Sequence, residues 1–139
     1  MRGVAIGEAS RRSGVKIPTI RYYEQIGLLP SPDRTENQRR VYAEADLSRL
    51  AFIRHARELG FDVEAIRTLI ALQDDPHQSC AAADETARAR LAEVDRRITS
   101  LQALRKELLR MIANGCDGRV ENCRVIDTLS QPHQHGPLA

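Results

Sequence analysis

Tryptophan is absent from the 139 residues, and aromatic residues make up only 4%. One large, aromatic-rich core is therefore not expected, and the length suits one domain or two small ones. No apolar run approaches the roughly 18 residues of a membrane span, and no signal-peptide pattern opens the sequence, so a cytoplasmic location without a membrane partner is expected. Cysteine is scarce: Cys80, Cys116 and Cys123 are too few for a disulfide framework. In a reducing cytosol such thiols read as metal ligands or as small buried residues. Also missing are a phosphate-binding glycine loop, a His-Glu-x-x-His motif and a nucleophile beside its base, which argues against an enzyme.

Charged residues make up 29%, and with abundant Ala, Leu and Arg they favour exposed helices. The net charge of +2 conceals an asymmetry. Residues 1–60 carry 11 Lys and Arg against 7 Asp and Glu, a net +4, whereas residues 61–139 carry 10 against 12, a net −2. A basic front half suggests a polyanionic partner.

The apolar spacing is helical almost throughout. "VAIGEASRRSG" reads as a short helix ended by Gly14, and "IPTIRYYEQIG" as a second with Pro18 in its first turn. Ile20 and Tyr23 share a face of that second helix, and only Gly14-Val15-Lys16-Ile17 separates the two, the length of a helix-turn-helix corner. "LLPSPDRTENQRRVY" then reads as a small hairpin with a basic returning strand, a wing. "EADLSRLAFIRHARELG" follows with Leu47, Leu50, Ile53, Ala56 and Leu59 at helical spacing, and Asp62 caps "VEAIRTLIALQ". His55, mid-helix, reads as a packing residue.

Between Ala81 and Ala113 there is neither glycine nor proline. Leu91, Val94, Ile98, Leu101, Arg105, Leu108 and Ile112 alternate at three- and four-residue steps, a heptad seam with one arginine in it. Little chain remains to cover the seam, so pairing with a second copy is expected. The fold class is mostly α: an N-terminal winged helix-turn-helix (1–75), a hinge and dimerisation helix (76–113), a metal-binding loop with a short helix in "RVIDTL" (114–130), and a flexible tail (131–139).

The second helix would present Thr19, Arg21 and Tyr22 to a major groove, while Arg39 and Arg40 reach flanking phosphates. "IGEASRRSGV", "TIRYYEQIGLLPSP" and "RRVYAEADLSRLAFIRHARELGF" together resemble the MerR family of winged-helix transcription regulators over roughly the first 75 residues. The long helix and cysteine loop continue that layout. By this resemblance Lys16, Thr19, Arg21, Tyr22 and Tyr23, with Arg39, Arg40 and Tyr42 in the wing, are expected at promoter DNA. Family wings carry Gly and an aromatic before the Arg where this sequence has Gln38 and Arg39, so its hairpin turn is expected to differ. The resemblance further implies a homodimer on an overlong promoter spacer. Metal binding would distort the DNA there and open the promoter to RNA polymerase.

Cys116 and Cys123 lie on one glycine-containing loop with six residues between them, and Cys80 precedes the long helix. The thirty-six residues from Cys80 to Cys116, at about 1.5 Å each in one continuous helix, would hold the two roughly 50 Å apart within one chain. In an antiparallel pair the start of one helix lies beside the end of its partner, so Cys80 could join the two loop cysteines of the other chain. Three thiolates suit a soft divalent ion, and a helix N-terminus favours negative charge at Cys80. The resemblance narrows the ion: monovalent sensors of the family have Ser where Cys80 stands, so a divalent branch is implied. Cadmium or lead is favoured, with zinc or mercury behind. His77, His133 and His135 could add nitrogen ligands or be bystanders. The alternatives are a thiol redox regulator switching through a Cys116–Cys123 disulfide and a DNA-binder with a purely structural zinc.

Overall fold

The computed structural model describes residues 3–37, 39–113 and 118–131. It divides into two compact units, Met1–Ala87 and Arg88–Ala139. The elements run α1 (Ile6–Ser13), α2 (Ile17–Gln25), β1 (Asp33–Arg34), β2 (Arg40–Val41), α3 (Glu44–Glu58), α4 (Val63–Gln73), α5 (Ala81–Ala113), a 3-10 turn (Val120–Asn122) and α6 (Arg124–Ser130). The mostly helical winged architecture expected from the apolar spacing is what forms.

Local chemistry explains the boundaries. Gly14 takes φ 75°, a left-handed conformation that costs glycine little, and its N–H closes α1 on the Ser10 carbonyl at 2.9 Å. At the start of α3, Asp46 Oδ2 accepts from the Ala43 N–H at 2.9 Å. Asp62 Oδ1 accepts from the Ala65 N–H at 2.8 Å and so starts α4.

The first unit is built around Ile20, Leu50, Ile53 and Ile66, each fully buried, with Leu28, Leu29 and Tyr42 beside them. These come from α2, the α2–β1 segment, the hairpin, α3 and α4, so α2 and the wing rest on one core. Arg12 spans from α1 to both carboxylate oxygens of Glu44 at the start of α3, at 2.8 and 3.0 Å. Two expectations are corrected. Leu59, the last residue of that apolar spacing, lies at the α3 C-cap and is 67% exposed. His55 is exposed in the last turn of α3 rather than packed.

In the second unit the heptad seam lies open. Leu91, Ile98, Leu101, Leu108 and Ile112 are all exposed, Arg105 is exposed and Val94 is half-buried. Among the described residues no helix is long and apolar enough to cross a membrane.

Candidate DNA interface and metal site

The period of α2 sorts its side chains into two sets. Ile20 and Tyr23, three residues apart, turn into the core, which leaves Lys16, Arg21 and Tyr22 exposed and Thr19 half-buried on the outer face. Tyr23 was expected at the DNA but is only 7% exposed, and burial raises its pKa above the ordinary value. Its ring centroid lies 6.1 Å from that of Tyr22, in a tilted arrangement that supports the exposed ring.

The wing is short. β1 and β2 pair antiparallel with Asp33 opposite Val41 and Arg34 opposite Arg40. The Thr35 N–H donates to the Arg39 carbonyl at 2.8 Å, and the Arg39 N–H donates back to Thr35 Oγ1 at 3.2 Å. Arg39 is exposed, while Gln38 lies outside the described residues. Tyr42, the other aromatic expected at DNA, is 1% exposed and exchanges two backbone hydrogen bonds of 2.8 Å with Val4. Both tyrosines are thus members of the buried cluster, because their positions fall on the inward side of α2 and of the hairpin.

A residue given no role from the sequence connects these parts. The Glu24 side chain on α2 is 8% exposed and accepts from Arg40 Nε at 3.0 Å through Oε2. Its Oε1 accepts from the Tyr42 hydroxyl. Burial first, and then this hydrogen bond, hold the Tyr42 phenol well above its ordinary pKa of 10.0. Arg40 is therefore paired with Glu24 as well as placed toward the outer surface. Beside it lies an open cleft of about 490 Å³ lined by Arg21, Glu24, Gln25, Ser31, Pro32, Arg34 and Arg40. A second open cleft of about 380 Å³ lies across α2, where Lys16 and Thr19 meet Arg54 and Arg57. Each cleft thus carries basic side chains together with one carboxylate, Glu24 in the first and Glu58, paired with Arg54 at 3.1 Å, in the second.

Cys80 is exposed at the start of α5, and its carbonyl accepts the Asp84 N–H at 3.0 Å, the first bond of that helix. Cys123 is half-buried and stands at the N-cap of α6, its carbonyl accepting the Asp127 N–H at 2.9 Å. The segment "RVIDTL" is therefore helical, as its pattern suggested. His77 is exposed in the turn before Cys80. Cys116, His133 and His135 lie outside the described residues. Among the described residues no three His, Cys, Asp or Glu side chains are grouped closely enough to hold an ion. The donors that are placed, two thiols each opening a helix, have the chemistry a soft ion takes.

Comparison with known proteins matches these features to one group. The family model described as MerR HTH family regulatory protein matches residues 4–73, and the one described as MerR, DNA binding matches residues 47–111. The transcriptional regulator ZntR of Escherichia coli strain K12 is 40% identical over 130 residues, covering 91% of this chain and 92% of that protein. The regulator HmrR of Rhizobium leguminosarum bv. viciae is 42% identical over 126 residues, covering 90% and 96%. The crystal structure of the transcription regulator PbrR691 from Ralstonia metallidurans CH34 in complex with lead(II) superposes with a TM-score of 0.77. It is 35% identical, and the match covers 94% of this chain and 99% of that one.

Proposed function

The chain belongs to the MerR family of helix-turn-helix transcription regulators, and from that premise we propose that it is a homodimeric sensor of a soft divalent ion acting at promoter DNA. The observation that carries this reading is the position of Cys80, a thiol at the start of the 33-residue helix α5, whose apolar seam is exposed. An exposed seam of that length calls for a partner helix. In an antiparallel pair, Cys80 of one protomer approaches the loop of the other, and the ligand set is Cys80 with the partner subunit's Cys116 and Cys123. His77, His133 and His135 are secondary candidates.

Lys16, Thr19, Arg21 and Tyr22 on α2 face the major groove, and Arg39 and Arg40 take phosphates on either side. Tyr23 and Tyr42 act from within the core by fixing α2 and the wing. A bound soft ion supplies metal–sulfur bonds between protomers, and with them a preference for one arrangement of the two reading heads. The heads, fixed to their DNA half-sites through α2 and the wing, then impose that arrangement on the promoter spacer, a form of indirect readout. The spacer so distorted becomes usable by RNA polymerase. Cadmium or lead is the favoured ion, supported by the third thiol and by the lead(II) complex of the 35% identical PbrR691, with zinc or mercury next.

The test is an anaerobic titration of reduced protein with Cd(II), following the ultraviolet thiolate-to-metal band, repeated for Cys80→Ser and in competition with Zn(II), Pb(II), Hg(II) and Cu(I). One tight ion per protomer, weakened by Cys80→Ser and preferred over Cu(I), is expected. Equal Cd(II) affinity in Cys80→Ser, or victory of Cu(I), would overturn the divalent assignment. A redox regulator would instead respond to oxidant without metal, and a structural zinc site would leave DNA affinity unchanged on metal removal.

A further inference from the structure

We propose that Arg67 is a positioning residue through which the ion site acts on α2: it fastens the end of α2 to α4, the helix that leads into Cys80. This rests on the ion-sensing reading above and names the side chain by which the signal crosses one head. Arg67 Nη2 donates to the Ile26 carbonyl, a partner from another helix rather than from its own. Its Nε donates to Glu64 Oε1 at 3.4 Å, which steadies the guanidinium from within α4. Nη1 lies 3.6 Å from where a Cβ on Gly27 would stand, so the group sits over the turn that closes α2.

The end of α2 calls for such a group. A helix C-terminus carries partial negative charge and carbonyls that need donors. α2 has no basic residue in its last turn, so the cation there comes from α4. The carbonyls of Tyr22, Tyr23 and Glu24 accept from the N–H groups of Ile26, Gly27, Leu28 and Leu29, whereas that of Ile26 takes its donor from Arg67. The bond is part-buried, where a charge-assisted hydrogen bond is strongest. Beneath it Ile20 of α2 and Ile66 of α4, both fully buried, belong to the same core cluster.

The other end of α4 is joined to Cys80 without slack. The Asp75 N–H donates to the Leu72 carbonyl at 3.2 Å, and the Gln78 N–H donates to the Asp75 carbonyl at 3.1 Å. Gln78 Nε2 donates to Asp75 Oδ2 at 2.9 Å, the Ala81 N–H to Ser79 Oγ at 3.1 Å, and the Cys80 carbonyl then opens α5. A segment closed turn by turn in this way passes a shift of Cys80 on to α4 instead of absorbing it. Coupling travels through rigid elements and the polar links between them. Arg67 is the link that makes α2 follow α4.

The experiment uses the full-length protein, Cd(II) as the ion, and the duplex that wild type enriches most strongly from a random pool, carrying 2-aminopurine at its centre. Cd(II) should change the 2-aminopurine fluorescence of the wild-type complex. In Arg67→Met that change should shrink roughly tenfold, the factor that one charge-assisted hydrogen bond is worth, while Cd(II) affinity, followed by the ultraviolet thiolate band, stays at the wild-type value. Arg67→Lys keeps the cation and a donor and should recover most of the change. In metal-free protein, amide exchange at Leu28 and Leu29, which close α2 on the Tyr23 carbonyl, should quicken in Arg67→Met. A full Cd(II) response in Arg67→Met, no rescue by Arg67→Lys, or unchanged exchange at those amides would each overturn the proposal. So would a loss of Cd(II) affinity in step with the signal, or an equal loss of duplex binding with and without Cd(II), because Arg67 would then act on the fold alone. Should Arg67→Met not fold, Arg67→Gln decides by the same readings, since it keeps a polar side chain too short to reach the Ile26 carbonyl. A wild type whose duplex signal ignores Cd(II) would overturn the ion-sensing reading itself, a result distinct from any of these.

Discussion

Truncating Leu101 to alanine should separate the protomers. Removing the buried part of a leucine from a packed interior costs about 3.5 kcal/mol, counting the cavity left behind. Leu101 is 55% exposed in the single chain, so about half of that cost, roughly 2 kcal/mol, belongs to whatever covers it in a dimer. A two-fold interface applies the loss twice, giving about 4 kcal/mol, on the order of a thousandfold in the dimer dissociation constant. Sedimentation equilibrium over nanomolar to millimolar protein measures this directly. Unchanged self-association would mean that the apolar face of α5 is not the interface.

The same position reports direction. The seam runs from Leu91 to Ile112, so in an antiparallel pair its midpoint falls near Leu101, which then faces its own copy. With Cys80, Cys116 and Cys123 replaced by serine, Leu101→Cys should form an intermolecular disulfide on mild oxidation. Leu91→Cys should do so only when paired with Ile112→Cys. Self-coupling of Leu91→Cys would indicate a parallel pair and would remove the geometric basis for a shared Cys80 site, since disulfides need Cα atoms within about 7 Å.

Three further outcomes test the first unit. Asp62→Ala removes the side chain that caps α4 and should cost about 1 kcal/mol in chemical denaturation. Gly14→Ala forces an L side chain into φ 75°, with its Cβ only 2.5 Å from the Arg54 guanidinium; the arginine can move aside, so the loss should be close to the backbone cost of about 1–2 kcal/mol in the same assay. Because the folded protein holds the Tyr42 proton above its ordinary pKa of 10.0, the unfolded chain releases that proton first as pH rises. Stability present below about pH 10 is therefore lost above it, and Tyr42→Phe should flatten that decline by up to about 1.4 kcal/mol per pH unit; an alkaline profile identical to wild type would refute the assignment.

The helices were legible because their information is local. A 3.6-residue apolar period, a glycine after α1 and an aspartate before α4 each act within a turn or two of chain. The same period already placed Tyr23 inward, three residues after Ile20, where its side chain is buried. Glu24 was illegible for the opposite reason. Arg21, three residues earlier on α2, offered an in-helix partner, yet Glu24 takes Arg40 and Tyr42, 16 and 18 residues away. That choice depends on the register of a hairpin with only two residues in each strand, and a shift of one residue would send Arg40 to the opposite face. The bridge between Val4 and Tyr42 helps to hold the register, and it pairs residues at the two ends of the motif. Local pattern thus decides which face of α2 stays exposed, whereas long-range pairing decides which arginine stands beside that face and at what angle.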